Sequence, residues 1–376
     1  MPRFMSDSDV VDRVLAHIEH KTTDRGTEVW REPVENYRSQ ERLERERAMI
    51  RKLPMPFCPS HALKQAGDFV AREAATTPLI VVRGKDGRAR AFVNACRHRG
   101  TQLVSGEGCV GAFVCPYHGW SYGLDGGLLG VPHSDGFPDM DKLEHGLAEI
   151  DTIEQNGLIY VVQEGESASV AHLLDDLPTL FSSDQHIFKQ GEMSIDGNWK
   201  LYLESFIEGY HIKPAHGKTF YPFGFDNLNV IEFCGPHSRV TYPFRRIEKL
   251  AKVRPAERDI TGSVTYLYHL FPNVIVSKLS HHMSLGVIEP LSPSKTKITF
   301  YHLTNPTEIN NLDAACEAAD RDLDFVNETG QQEDIALVEG IQRSLHTNAN
   351  QVLTFGEFEP AIVHFHTQLA QHLTTD

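Results

Sequence analysis

The hydrophobic rhythm of the chain changes twice. Residues 7–20, DSDVVDRVLAHIEH, repeat apolar side chains at helical spacing behind a cap at Asp7 or Ser8. SQERLERERAMIRK and the leucine after it set Leu43, Ile50 and Leu53 among charges, the pattern of a charged surface helix. Pro54, Pro56 and Pro59 withhold the N–H groups that a helix needs and mark a boundary. From Phe57 to Gln163 the pattern shortens to the β-like runs DFVAREA, PLIVVRG, ARAFVNA, GAFVC and GLIYVVQ, separated by turns such as KDGR and LDGG. Beyond the polar stretch EGESAS, LYLESFIEGYH and VHFHTQLAQHL read as helices, and SVTYLYHLF, VIVSKLS and KITFYHL as strands.

The expected organisation is α+β: residues 1–54 a helical segment packing on the last domain, 55–165 an all-β module, and 166–376 an antiparallel sheet with packed helices. A hydrophobic share of 40% and a charged share of 23% are those of an ordinary globular chain and exclude disorder. A net charge of -15 argues against nucleic acid or an anionic membrane as partner. The start, MPRFMSDSDVVDRVL, has no apolar core and no 18-residue apolar run follows, so a cytoplasmic protein is expected. Six cysteines are too few for a disulfide scaffold of this length; metal binding or burial remains, and Cys58, Cys109, Cys234 and Cys316 are expected to be buried thiols.

The other two cysteines sit beside histidines. Cys96-Arg97-His98 and Cys115-Pro116-Tyr117-His118 are separated by sixteen residues, and each pair follows a strand-like run. A Rieske [2Fe–2S] cluster needs two thiolates on one iron and two imidazoles on the other, which two such loops can supply. Gly100 and Gly119 are expected to bring backbone N–H groups to the sulfurs. A structural zinc site accepts the same residue types, although zinc spacing normally pairs like with like.

A second constellation lies in NWKLYLESFIEGYHIKPAH. On one helix Glu204, Glu208 and His211 would share a face, whereas His216 would not; Pro214 is expected to break the helix and bring His211 and His216 together. Two imidazoles and one carboxylate on a face of iron leave positions open for oxygen. The acids before His211 are poorly placed for the third ligand, so Asp334 in QEDIALVEGIQ is the candidate and Glu333 the alternative; the same pair could simply supply charge to a helix N-terminus.

CRHRGTQL with CPYHGWSYGLDG, and NWK followed by E-x-x-H-x-x-x-x-H and a late acidic pair, resemble the oxygenase (alpha) subunits of Rieske non-haem iron oxygenases, the aromatic-ring-hydroxylating family. The resemblance spans roughly residues 40 to 345. It implies a Rieske domain joined to a helix-grip-like catalytic domain, a cluster on Cys96, His98, Cys115 and His118, and Fe(II) on His211, His216 and Asp334. It implies a terminal oxygenase that hydroxylates, dioxygenates or oxidatively demethylates a small organic substrate with O2. It also implies a trimeric ring in which Glu208 links His211 to His118 of a neighbouring copy. Most relatives carry aspartate at this bridge; the glutamate resembles the branch acting on carnitine and betaines. Respiratory Rieske proteins have an extra cysteine in each loop and a serine donor to the cluster, where this chain has Thr101, Tyr117 and Trp120, so a potential of about -150 mV is expected.

No G-x-G-x-x-G follows a strand, so NADH electrons must come through a separate ferredoxin or flavin-dependent reductase. Arg83, Lys85, Arg88, Arg90, Arg97 and Arg99 are candidates to dock it. The reading from another class is an electron carrier with an accessory domain and no mononuclear iron.

Overall fold

The short apolar runs after Pro54 pair as antiparallel neighbours. Met55–Pro59, Leu158–Val162, Glu149–Gln155, Ala89–Val93, Thr77–Arg83, Asp68–Ala74 and Gly106–Cys109 form, in that order, one seven-stranded sheet. Phe113–Val114, Ser121–Tyr122 and Leu128–Gly130 form a second, three-stranded sheet. Inward residues such as Phe69, Ile80, Val82, Phe92 and Phe113 share one core with Cys96, Cys115, Trp120 and Tyr122. This is a computed structural model; it describes residues 4–306, 312–328 and 332–374. Ile50–Ser183 is one compact unit, and the chain before Ile50 forms a second with the chain after Ser183. The segment following the polar stretch stays with the first unit, since the N–H groups of Leu180 and Phe181 donate to the carbonyl of Asn156.

The second unit holds a seven-stranded antiparallel sheet ordered Ile187–Ile195, Lys295–Thr304, His282–Ser292, Val274–Lys278, Val264–Leu270, His237–Pro243 and Val230–Cys234. Helices Trp199–Phe206, Leu312–Val326, Gln332–Ser344 and Pro360–Leu373 belong to it. The last buries Ile362, Phe365, Leu369 and Leu373, one stripe at helical spacing. The expected α+β class, antiparallel sheets and helical C-terminus are all present.

Two local expectations are corrected. The Gln40–Lys52 helix is not a charged surface helix: Glu46 is 1% exposed, and its carboxylate receives the Lys200 ammonium at 2.8 and 3.0 Å, the Trp199 indole N–H at 2.8 Å and the Arg42 guanidinium at 2.9 Å. A buried carboxylate is tolerated when every lone pair is used. Nor do Glu204, Glu208 and His211 share a helical face. The helix capped by the Asn198 side chain ends at Phe206, so only Glu204 is helical; its carboxylate is buried against Tyr37 and His366. Pro214 lies within the next short helix, Ile212–Ala215, so the break precedes it.

Candidate metal centres

The two Cys-His loops fold alike. In each, the cysteine N–H donates to the carbonyl five residues on, Thr101 or Trp120, while the glycine four residues on donates to the cysteine carbonyl. Gly100 and Gly119 have φ of +77° and +71°, which an L side chain rarely adopts. Their N–H groups therefore close the loops rather than reaching the sulfurs, which corrects the expectation.

Folding this way sends the two residue types in opposite directions. Cys96 and Cys115 are buried in the core, whereas His98 and His118 reach the surface with their Nδ1 atoms 3.1 Å apart. Such a donor set, thiolates inside and imidazoles outside, fits a Rieske cluster with its two irons differently ligated. Trp120 stacks on His98 at 5.1 Å and 8°, and Phe137 meets both rings edge-on. The indole thus shapes the imidazole side.

Tyr122 was not singled out by the sequence. Its oxygen accepts the Arg97 N–H at 3.0 Å, which leaves the hydroxyl proton for Cys96 Sγ at 3.2 Å. Burial and the neighbouring thiol keep this phenol protonated. Its sequence signal was only a hydroxyl-bearing aromatic shortly after the second ligand loop. A donor to a cluster thiolate favours the reduced, more negative state. Tyr122→Phe is expected to lower the midpoint potential of the cluster while leaving its ligands intact; a redox titration giving an unchanged or higher midpoint would contradict this role.

In the second unit, the helix break positions the other site. Gly209 lies where a Cβ would meet Asn229 Oδ1 at 2.0 Å, so the turn after Phe206 requires glycine. The Tyr242 hydroxyl, from the sheet, donates to the carbonyls of Phe206 and Glu208 at 2.6 and 3.0 Å and fixes that turn. His211 and His216 then flank the short helix Ile212–Ala215, with ring centroids 5.1 Å apart. Asp334 comes from the first turn of the Gln332–Ser344 helix.

His211, His216 and Asp334 each offer a ligand atom within 4.8 Å of the others. Asp334 Oδ1 stands 2.9 Å from His216 Nε2 and 3.7 Å from His211 Nε2. It is buried and makes no hydrogen bond of acceptable angle despite these distances. Both imidazoles point Nε2 at the same space and use Nδ1 elsewhere: His211 on Glu208 Oε1, and His216 on Glu333 Oε2 at 2.8 Å. A ligating histidine normally donates its other N–H to a carboxylate in this manner, and two imidazoles with one carboxylate are the donor set of non-haem iron. Burial disfavours charge on both rings, yet the surrounding carboxylates outweigh it and raise both pKa values. The site therefore stabilises a cation.

Glu333, held as the alternative ligand, instead accepts from His216 and from the Thr219 hydroxyl at 2.8 Å. No spacing in the sequence announces that pairing. Of the remaining cysteines, Cys58 and Cys234 are buried, whereas Cys109 is exposed and Cys316 half-buried, against expectation. Of the expected docking cations, Arg83 is paired with Glu154 and Arg90 with Asp86, and the Arg99 guanidinium donates to the Tyr117 hydroxyl; exposed Arg97 and Arg99 remain beside the His98 and His118 pair.

The three converging residues open onto a cavity of about 1030 Å³, large enough for a small organic molecule. Its lining includes Tyr202, Phe206, Phe220, Phe223, Phe244 and Phe325. Phe223 meets Phe325 edge-on at 5.3 Å. Among the described residues no helix is long and apolar enough to cross a membrane.

Residues 54–166 match the Rieske [2Fe-2S] domain, and residues 182–375 match the catalytic domain of ring hydroxylating alpha subunits. The choline monooxygenase of Spinacia oleracea is 27% identical over 84% of this chain and 71% of its own. The carnitine monooxygenase oxygenase subunit of Escherichia coli K12 is 26% identical over 92% of this chain and 94% of its own. Two solved structures share the fold: a quaternary ammonium Rieske monooxygenase with L-carnitine (TM-score 0.77, 20% identity, 99% of each chain), and naphthalene 1,2-dioxygenase of Rhodococcus sp. (TM-score 0.78, 19% identity, 99% and 100%).

Proposed function

The chain belongs to the ring hydroxylating oxygenase alpha subunits, and from that premise we propose that His211, His216 and Asp334 hold its catalytic iron, that Cys96, His98, Cys115 and His118 hold its cluster, and that its substrate is a quaternary ammonium compound. A Rieske cluster and a mononuclear iron are the cofactors of this family, and the reaction is oxygenation with electrons from a separate partner protein. The reading of the chain as an electron carrier is not favoured, because residues 182–375 match the catalytic domain. When bound, the cluster supplies electrons singly and the iron supplies the positions at which oxygen and substrate meet.

The observation that carries the assignment is the convergence of two imidazole Nε2 atoms and an unsatisfied carboxylate oxygen at the wall of a cavity. Glu208 and Glu333 hold the two rings by their Nδ1 protons and keep Nε2 free as a ligand atom. Glu208 is proposed to reach His118 of a neighbouring copy in a homotrimer, so that one carboxylate orients a histidine of each centre. The electron donor is proposed to be a ferredoxin or flavin-dependent reductase using NADH, docked near Arg97 and Arg99, and the setting the cytoplasm.

The substrate class rests on two supports. The relatives reported above act on choline and carnitine by name, and the aromatic cavity lining suits a cation whose methyl groups need apolar contact and whose charge is drawn to ring faces. With a reconstituted reductase and NADH, γ-butyrobetaine or choline is expected to stimulate oxygen uptake and to yield a product carrying one atom of labelled O2. Uptake stimulated by neutral aromatic compounds and by no quaternary ammonium compound would overturn the substrate class.

A further inference from the structure

The sheet presents its cavity-facing residues in rows across paired strands. Lys189 pairs with His302, His302 with Ser284, and Ser284 with Ser277, and all four line the cavity. Residues directly opposite on neighbouring strands point to the same face, so these side chains stand beside one another. The next two rows, through Phe300 and through Ile298, are apolar. The polar row is therefore a single stripe at one end of an apolar wall, carried by different elements from those that supply the metal ligands.

Three members of the stripe can donate a hydrogen bond into the cavity, and the fourth, Ser284, sets the tautomer of His302. Among the described residues Lys189 makes no ion pair. Ser284 Oγ lies 2.7 Å from His302 Nδ1. With the serine donating there, the neutral imidazole carries its one proton on Nε2 and offers an N–H donor. Burial, with His282 and Lys189 close by, pushes His302 down to about 3, so the ring stays neutral across the physiological range. Ser277 adds a hydroxyl. The acid near this stripe, Asp322, is already occupied by the His281 N–H and by His282 Nδ1, both at 2.9 Å, and burial is outweighed there so that it remains ionised. Arg246 lines the same cavity and is held by Ser280 and the face of Phe244.

An ammonium, an imidazole N–H and a hydroxyl group arranged side by side complement a carboxylate, whose two oxygens accept several charge-assisted hydrogen bonds at once. We infer that Lys189, His302 and Ser277, with Ser284 fixing the tautomer of His302, bind a carboxylate on the substrate, so that the compound taken by this cavity is a quaternary ammonium carboxylate rather than a quaternary ammonium alcohol. The inference rests on the substrate class proposed above for its cationic end only. The carboxylate end stands on the polar stripe alone.

Calorimetric binding to the metal-replete protein separates the two. The probes are γ-butyrobetaine, which carries both charges; choline, which lacks the carboxylate; and 5,5-dimethylhexanoate, the carbon isostere that lacks the cation. Wild-type protein is expected to bind γ-butyrobetaine about tenfold more tightly than choline, and Lys189→Met to weaken γ-butyrobetaine and the isostere about tenfold while choline changes less than about twofold. Lys189 is exposed, so this variant folds; His302→Phe keeps the ring volume and is expected to act in the same direction. If Lys189→Met leaves the affinity for both carboxylates unchanged, if neither carboxylate binds, or if choline binds as tightly as γ-butyrobetaine, the carboxylate site is refuted. If the isostere binds and responds to Lys189→Met while γ-butyrobetaine does not bind, the carboxylate site stands and the quaternary ammonium reading falls.

Discussion

Asp334→Ala is expected to yield a protein that keeps its cluster and loses its catalytic iron and all oxygenase activity. The carboxylate is the sole anionic member of the converging trio, and its Oδ1 lies within reach of both imidazole Nε2 atoms. Two neutral imidazoles without it make a weak site for a divalent cation, since charge neutralisation is lost along with a ligand. The cluster ligands belong to the other compact unit and are untouched. Asp334 also opens a helix, where loss of a negative charge costs no more than about 1 kcal/mol, so the fold survives. An iron assay should fall from about three to about two per chain, with the visible and reduced-state paramagnetic spectra of the cluster unchanged. Retention of the third iron would show that another residue is the ligand, with Glu333 the alternative that the sequence offers.

Several parts of this architecture could be read from the sequence because the chemistry is local. Both Cys-His loops place their ligands within four residues, and His211 and His216 are five apart, so spacing alone proposes two centres. The strands announced themselves by short apolar runs between glycine turns. Features set by contacts distant in sequence were not legible. Glu46 belongs to a run of charges that looks solvated, and only Lys200 and Trp199, folded over it, explain its burial. The end of the helix at Phe206 depends on Tyr242 and on the space beside Asn229, neither of which marks the local pattern. Likewise the polar stripe takes its four residues from four strands, and Tyr122 is tied to Cys96 only by the folding of the second loop back over the first.

The same distinction makes Glu208 and Glu333 separable, although each accepts a hydrogen bond from one ligand histidine. Glutamine at position 208 retains one carbonyl oxygen, which can accept from His211 Nδ1 and keep the ring oriented, and puts an NH2 group in place of the Oε2 that accepts from the N–H groups of Tyr210 and His211. What it removes is the charge, and with it the capacity to accept a hydrogen bond from a histidine on both sides. Glu208→Gln is therefore expected to retain both metals, with oxidation of the reduced cluster by oxygen and substrate slowed about 100-fold in a rapid-mixing experiment. Glu333 bonds His216 and Thr219 rather than His211. Glu333→Gln should instead weaken iron binding about tenfold, with cluster oxidation close to normal once the iron site is filled. Cluster oxidation at the wild-type rate in Glu208→Gln would remove the bridging role. Equal slowing in both variants would mean that the two carboxylates do no more than orient their rings.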